Sequence, residues 1–299
     1  MWFKNLQIFR LASGWEYSSE KLAEQLQKGL FQGCSATDRV ALGWVPPCGE
    51  DGELVFTMQQ QQLIALGVEQ KILPGSVVRQ YAQAKLAEIE AAQGYKPGKK
   101  QAREVREQVE IELLPRAFVK RGLTYVWIDP INRWLLVDAS SSARADEVME
   151  QLKLSLGELP LTLVKTQLAP ATAMTQWLAA GTAPGSFSID RDCELCAAVE
   201  ERAAVRYVRH NLDSDEVRAH MAGGKAATRL SLTWNDRVSF VLTEQLQIKR
   251  LAFLDLLKED AERQSESGGD LFAADFTLMS GELAQLLKHL VEALGGEGE

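Results

Sequence analysis

Residues 71–121 read KILPGSVVRQYAQAKLAEIEAAQGYKPGKKQAREVREQVEIELLPRAFVKR, and how this stretch divides decides the fold. Its first half places Val78, Ala82, Leu86 and Ile89 at helical spacing, after a start signal at Pro74-Gly75-Ser76. Gly94-Tyr95-Lys96-Pro97-Gly98 then turns the chain. In the second half Ala102, Val105, Val109 and Leu113 form one stripe, with Lys99, Arg103 and Arg106 on another. Pro115 ends that helix, because it lacks a donor and restricts the residue before it. The chain leaves through an aromatic-basic segment around Phe118. The stretch holds eleven Lys/Arg against six Glu, a net charge of +5. The whole chain is −8, so the remainder carries −13. Positive charge is gathered in this pair while the rest is acidic.

Working outward, strands at about Glu53–Met58 and Gln62–Val68 precede the pair. Strands Thr124–Ile128 and Arg133–Asp138 follow it, turned by Asp129-Pro130-Ile131-Asn132. The two helices therefore read as an insertion protruding from an α+β body. Toward the N-terminus, a strand around Phe3, Leu6 and Ile8 leads to a helix Ser18–Leu30 with Leu22, Leu26 and Leu30 on one face. Gly43-Trp44-Val45-Pro46-Pro47 reads as a rigid loop, since two prolines fix its backbone. A helix Ala143–Leu156 ends at Gly157, and the second half of the chain opens near residues 160–170.

That second half carries predicted helices at Thr172–Ala180, Cys193–Glu201 and Asp215–Ala222. Lys225–Trp234 alternates: Leu230, Leu232 and Trp234 face one way, Lys225, Arg229, Ser231 and Thr233 the other. After the Asn235-Asp236 turn, Val238, Phe240 and Leu242 face the core, while Arg237 and Ser239 take the polar side. The expectation is an antiparallel sheet with a solvated, basic face. Residues 202–250 hold nine basic and five acidic side chains, whereas the tail from Asp255 holds eleven acidic and three basic. That tail includes an expected loop at Glu262–Gly269 and a last helix with Leu283, Leu286, Leu287, Leu290 and Leu294 in register. The expected division is 1–70 with 122–166 as a central α+β domain, 71–121 as the helical insertion, and 167–299 as a second α+β domain.

At 299 residues and 46% apolar, the chain can bury a sizeable core. A pI near 5.2, taken alone, argues against nucleic acid as a partner. No apolar run approaches the roughly 20 residues needed to span a membrane, and MWFKNLQIFRL lacks the continuous apolar core of a signal peptide. Cysteines 34, 48, 193 and 196 are too irregular for a disulfide framework. A cytoplasmic protein is expected.

Candidate chemistry is thin. Cys193-x-x-Cys196 has zinc or redox spacing but no second pair nearby; Cys34 and Cys48 complete a four-thiolate site only if the fold converges, the alternative being buried thiols. Gly223-Gly224-Lys225 resembles the end of a phosphate loop, yet Ala219 and Ala226 stand where Gly and Ser/Thr are required. Asp190-x-Asp192 and Asp213-x-Asp215 could hold a nuclease metal; helix capping is the preferred reading, since Asp213 and Glu216 have the capping-box offset. The histidines at 210, 220 and 289 are scattered. No catalytic residue, metal or cofactor is assigned.

Six motifs in order resemble the RdgC family: Trp2-Phe3-Lys4-Asn5-Leu6, Gly43-Trp44-Val45-Pro46-Pro47, Lys71-Ile72-Leu73-Pro74, Leu113-Leu114-Pro115-Arg116-Ala117-Phe118, Trp127-Ile128-Asp129, and Asp275-Phe276-x-Leu278-Met279-x-Gly281-Glu282-Leu283. The resemblance implies a non-enzymatic, nucleoid-associated protein that binds double-stranded DNA without sequence preference, and single-stranded DNA more weakly, and that limits access of the RecA recombinase. It also implies a ring-shaped homodimer whose basic lumen encircles duplex, closed by one contact between protruding tips and another between the opposite ends. A Phe at the end of the helical projection is matched by Phe118, which charged neighbours mark as exposed rather than a core plug. The candidate DNA contacts are then Lys96, Lys99, Lys100, Arg103, Arg106, Arg116, Phe118, Lys120, Arg121, Arg209, Lys225, Arg229 and Arg237. The rivals are an acidic protein-interaction scaffold with incidental DNA binding, and a metal nuclease built on the Asp pairs.

Overall fold

Residues 62–69 form an unbroken buried run, a pattern that arises only when a strand is covered on both faces. They belong to β4 (Gln61–Ile72) of a sheet that also contains β1 (Gln7–Leu11), β2 (Val40–Val45), β3 (Phe56–Met58), β5 (Phe118–Asp129), β6 (Trp134–Val137) and β7 (Leu161–Leu163). The strand order is β2-β4-β5-β6-β1-β7, every pairing is antiparallel, and β3 adds to β4. In this computed structural model residues 1–197, 203–254 and 271–298 are described. One face of the sheet, with Trp44, Ile64, Leu66 and Val126, packs on α1 (Ser19–Leu26) and α4 (Ser142–Leu156) through Leu22, Leu26, Val148 and Leu152. The opposite face, with Leu63, Trp127 and Leu136, joins a larger core shared with the second half of the chain.

Between β4 and β5 run α2 (Gly75–Gln93) and α3 (Lys99–Leu113). The second sheet is also antiparallel, in the order β12-β11-β10-β8-β9, from β8 (Phe187–Ala197), β9 (Ala204–Tyr207), β10 (Lys225–Trp234), β11 (Val238–Thr243) and β12 (Ile248–Phe253). Its inner face meets α5 (Pro170–Ala180), α6 (Asp215–Ala222) and α7 (Leu271–Ala293). Leu230, Leu232, Trp234, Val238, Phe240 and Leu242 are all buried there, and Leu283, Leu286, Leu287, Leu290 and Leu294 of the last helical segment meet them, as the alternation and the leucine register require. Asn235 and Asp236 both adopt positive φ, 51° and 53°, the tight turn that twist-matched hairpins need. With two antiparallel sheets and seven α-helices among the described residues, the chain is α+β.

Several local expectations are corrected. Gly43-Trp44-Val45 is strand, not loop; only Pro46 and Pro47 lie outside β2. Gly43 stands where the backbone of Phe31 crosses the sheet, 2.4 Å from the place a Cβ would occupy. Gly43→Ala is expected to cost about 1–3 kcal/mol through forced backbone displacement, read from urea or thermal unfolding. The first helix stops at Leu26, and a 3-10 turn over Gln27–Gly29 turns Leu30 out of its face, to bridge Trp44 and stay half-exposed. The first strand begins at Gln7, while Phe3 and Leu6 enter the larger core and Leu6 bridges Ile248.

Within the described residues, Cys193–Ala197 is strand rather than helix. β8 is hydrogen-bonded on both sides, by β9 and β10, and that pairing overrides a weak local pattern. Residues 198–201 of that expected helix, and the expected Glu262–Gly269 loop, lie outside the described residues. Ser214, not Asp213, caps α6, because the capping oxygen must reach the Val217 N–H from the position just before the helix. Asp190 and Asp192 cap nothing; they sit on β8, where Asp190 accepts from Ser231 and Thr233 hydroxyls.

Candidate nucleic-acid interface

The α2–α3 pair is built from both ends. Pro74 starts α2 and Gly94, at φ 77°, ends it in the left-handed conformation that glycine adopts without strain. Val78 and Ala82 bury against Val109, with Leu73, Val105 and Leu113 partly covered around them. Lys85 Nζ crosses to Glu112 Oε2 at 2.5 Å, and Arg39 at the foot of β2 pairs with Glu110. This small core occupies one stripe of α3 and leaves the basic stripe to solvent. Lys99, Lys100, Arg103 and Arg106 are exposed, as is Lys96 in the turn. Arg103 is partly neutralised by Glu107, with Nε–Oε1 at 2.8 Å. Lys96, Lys99, Lys100 and Arg106 form no ion pair among the described residues. The first turn of α3 has no acid and two lysines at its positive dipole end, an arrangement that disfavours the free helix.

After a 3-10 turn at Leu114–Arg116, β5 begins at Phe118, six residues earlier than the alternation predicts, because β4 extends to Ile72 and supplies partners. Phe118 lies directly opposite Ile72 and is 84% exposed. Arg116 and Lys120 flank it, exposed and free of ion pairs among the described residues. Arg121 differs: its Nε donates to Glu69 Oε2 at 2.7 Å, and the other Glu69 oxygen accepts the Cys34 N–H. Those contacts hold the Glu69 carboxyl below its ordinary range, the Cys34 N–H being the larger cause and Arg121 the next. Arg121 therefore anchors a buried acid as well as presenting charge.

The second-sheet candidates do not form one patch. Arg229 is exposed on the outer face, 3.7 Å from Glu194. Lys225 contacts His220, with Nζ 3.5 Å from Nδ1. Arg209 sits at φ 52° with its N–H on Asp192. Arg237 does not share the polar side as expected; its guanidinium reaches Glu282 on α7 at 2.8 Å, the helix packed on the inner face. Burial raises the Glu282 carboxyl and Arg237 opposes that rise. Lys249 and Arg250 are not among the candidates read from the sequence. They follow each other on β12, interrupting the alternation, and both face a cleft shared with Arg229.

Cys193 is buried in the core, where desolvation pushes its thiol up to about 12. Cys196 meets Thr228, and Cys34 lies at the edge of the other sheet. Among the described residues no three His, Cys, Asp or Glu converge on a possible metal position, and no helix is long and apolar enough to cross a membrane.

Fold and surface together define an α+β protein of two antiparallel sheets with a basic helix pair strung between two long strands. A family model described as "Putative exonuclease, RdgC" matches residues 1–297, and the chain belongs to the RdgC family. It is 55% identical over 99% of its length to the "Recombination-associated protein RdgC" of Dechloromonas aromatica (strain RCB), covering 98% of that protein. The protein of the same name from Janthinobacterium sp. (strain Marseille) is 51% identical, with 100% of this chain and 99% of the relative aligned. That of Bordetella parapertussis is 50% identical over 99% of both.

Proposed function

We propose that this chain is a non-enzymatic, sequence-independent DNA-binding protein of recombination, gripping duplex through phosphate contacts from the α2–α3 pair and the start of β5. The observation that carries the reading is the group of six exposed cations, Lys96, Lys99, Lys100, Arg106, Arg116 and Lys120, without carboxylate partners among the described residues, in a chain of net charge −8. An acidic protein repels DNA at long range, so it binds only where cations are presented together. Phosphate contacts of this kind carry no sequence information. The name borne by the relatives, recombination-associated protein, supports a role in recombination.

The finer reading follows the family resemblance. Residues 71–121 act as a protruding insertion on a central domain of 1–70 with 122–166, and 167–299 form the opposite end. Two copies close into a ring through Phe118 at one contact and the opposite ends at the other, since a two-membered ring needs two self-complementary contacts. Duplex held in the lumen is shielded from RecA, and the protein is nucleoid-associated in the cytoplasm.

The test compares retention on a closed circle with retention on the same molecule linearised, in high salt with magnesium present. Topological enclosure predicts persistence on the circle and rapid loss from the linear form. Equal loss from both would sink the ring reading. Shortening or nicking of the DNA would instead favour the nuclease suggested by the family description.

A further inference from the structure

Between the first turn of α4 and the outer face of the second sheet lies a cleft of about 840 Å³. Thr228, Val241 and Thr243 form its floor, and Ser140–Ser142 one wall. Arg229 on β10 lies opposite Thr243, and Lys249 on β12 lies opposite Val241, so both cations rise from the same face with β11 between them.

Glu194 and Asp192 of the cleft are hydrogen-bonded to Arg206 and Arg250, and Glu194 Oε1 is also within ion-pair range of Arg229. Glu194 Oε2 accepts Arg206 Nε at 3.0 Å, and Asp192 accepts Arg250 Nη1 at 3.1 Å. Glu244 is a third acid on the lining. Arg229 stays 3.7 Å from Glu194, beyond hydrogen-bond reach. Lys249 Nζ donates to the Ser140 carbonyl at 2.6 Å and has no carboxylate partner among the described residues. Desolvation, then the like charge of Arg229, holds the Lys249 ammonium below the ordinary lysine range. The cleft brings Arg229, Lys249, Arg206 and Arg250 together against Asp192, Glu194 and Glu244. Lys249 has no carboxylate of its own among the described residues, so a further anion between Arg229 and Lys249 is favoured.

We propose that this cleft is a phosphate site, with the phosphate seated between Arg229 and Lys249 and the Ser141 and Ser142 hydroxyls as further donors. Each hydroxyl already accepts a hydrogen bond, from the Arg144 N–H and from Gln247 Nε2, which leaves its own proton to give. The volume lies within the range of small-molecule sites, roughly 300–1,000 Å³, and the polar, charged lining suits a nucleotide better than an apolar ligand. The phosphate comes either from a free mononucleotide or from a DNA strand.

Calorimetric titration of the full chain with thymidine 5′-monophosphate and with thymidine separates the phosphate from the rest of the ligand. Binding of the monophosphate alone, weakened about tenfold by Lys249→Gln and by Arg229→Gln, supports a nucleotide site. That arm does not depend on the DNA-binding reading, so the two can fail separately. If the mononucleotide does not bind, a fall of roughly 1 in the salt slope of duplex binding in Lys249→Gln assigns the phosphate to the DNA strand. Arg229→Gln, at an exposed guanidinium, guards against a folding defect in the lysine variant, and melting curves accompany both. Equal binding of nucleoside and monophosphate, or no change in either readout with either variant, overturns the proposal.

Discussion

Replacing Lys99, Lys100, Arg103 and Arg106 together with Ala is expected to remove most duplex affinity, about a thousandfold at 0.1 M salt. Each phosphate contact contributes about 0.9 to the log–log slope through counterion release. Four lost contacts therefore flatten the slope by roughly 3–4 and lower affinity by about that many decades between 1 M and 0.1 M. Arg103, tied to Glu107, is expected to contribute least, so the triple variant lacking its change should recover little. Fluorescence anisotropy across a salt series measures both quantities. Stability should hold or rise, because removing two lysines from the positive end of α3 relieves an unfavourable dipole interaction. A slope unchanged by all four substitutions would remove α3 from the interface.

Phe118→Ser should separate ring closure from folding. At 84% exposure the ring contributes little to the monomer, so the melting temperature should stay within about 2 °C. In the proposed ring the variant would lose the contact of Phe118 with a second copy, while the opposite contact would still hold the two subunits together. Expected is a dimer by light scattering that binds linear DNA normally but no longer persists on closed circles at high salt. Retention equal to the parent protein's would exclude Phe118 from the closing contact. A large fall in melting temperature would show that its aromatic ring packs in the fold.

Much of this was legible in residue order, for identifiable reasons. The α2–α3 pair, the β10–β11 hairpin and the last helix each announce themselves because each has one buried face, so period and chemistry agree. β8 was misread because Cys193, Leu195 and Cys196 give a weak local pattern, and its strand state comes from partners on β9 and β10 distant in sequence. The early start of β5 was hidden for a related reason: Phe118–Leu123 is exposed, and only pairing with β4 marks it as strand. The exposed stripe of α3 was readable from spacing. The state of each charge was not, because Glu69, Glu194 and Glu282 reach Arg121, Arg229 and Arg237 only through tertiary placement. Lys249 went unnoticed since its companions in the cleft come from β10 and from the start of α4.

The β4–β5 ladder, eleven residue pairs from Gln62–Ile128 to Ile72–Phe118, has a mechanical consequence. At about 3.4 Å per residue it is a beam roughly 34 Å long with the helix pair at its end. A pull on that pair along the strands moves β4 and β5 together and leaves their mutual hydrogen bonds unloaded. The load passes instead to the flanking ladders, six pairs with β2, three with β3 and four with β6, which are strained side by side in shear. A sideways push on the same helices bends the beam about its root and peels the flanking ladders one bond at a time. The helix pair is thus mounted stiffly against tension along the strands and compliantly against torque across them.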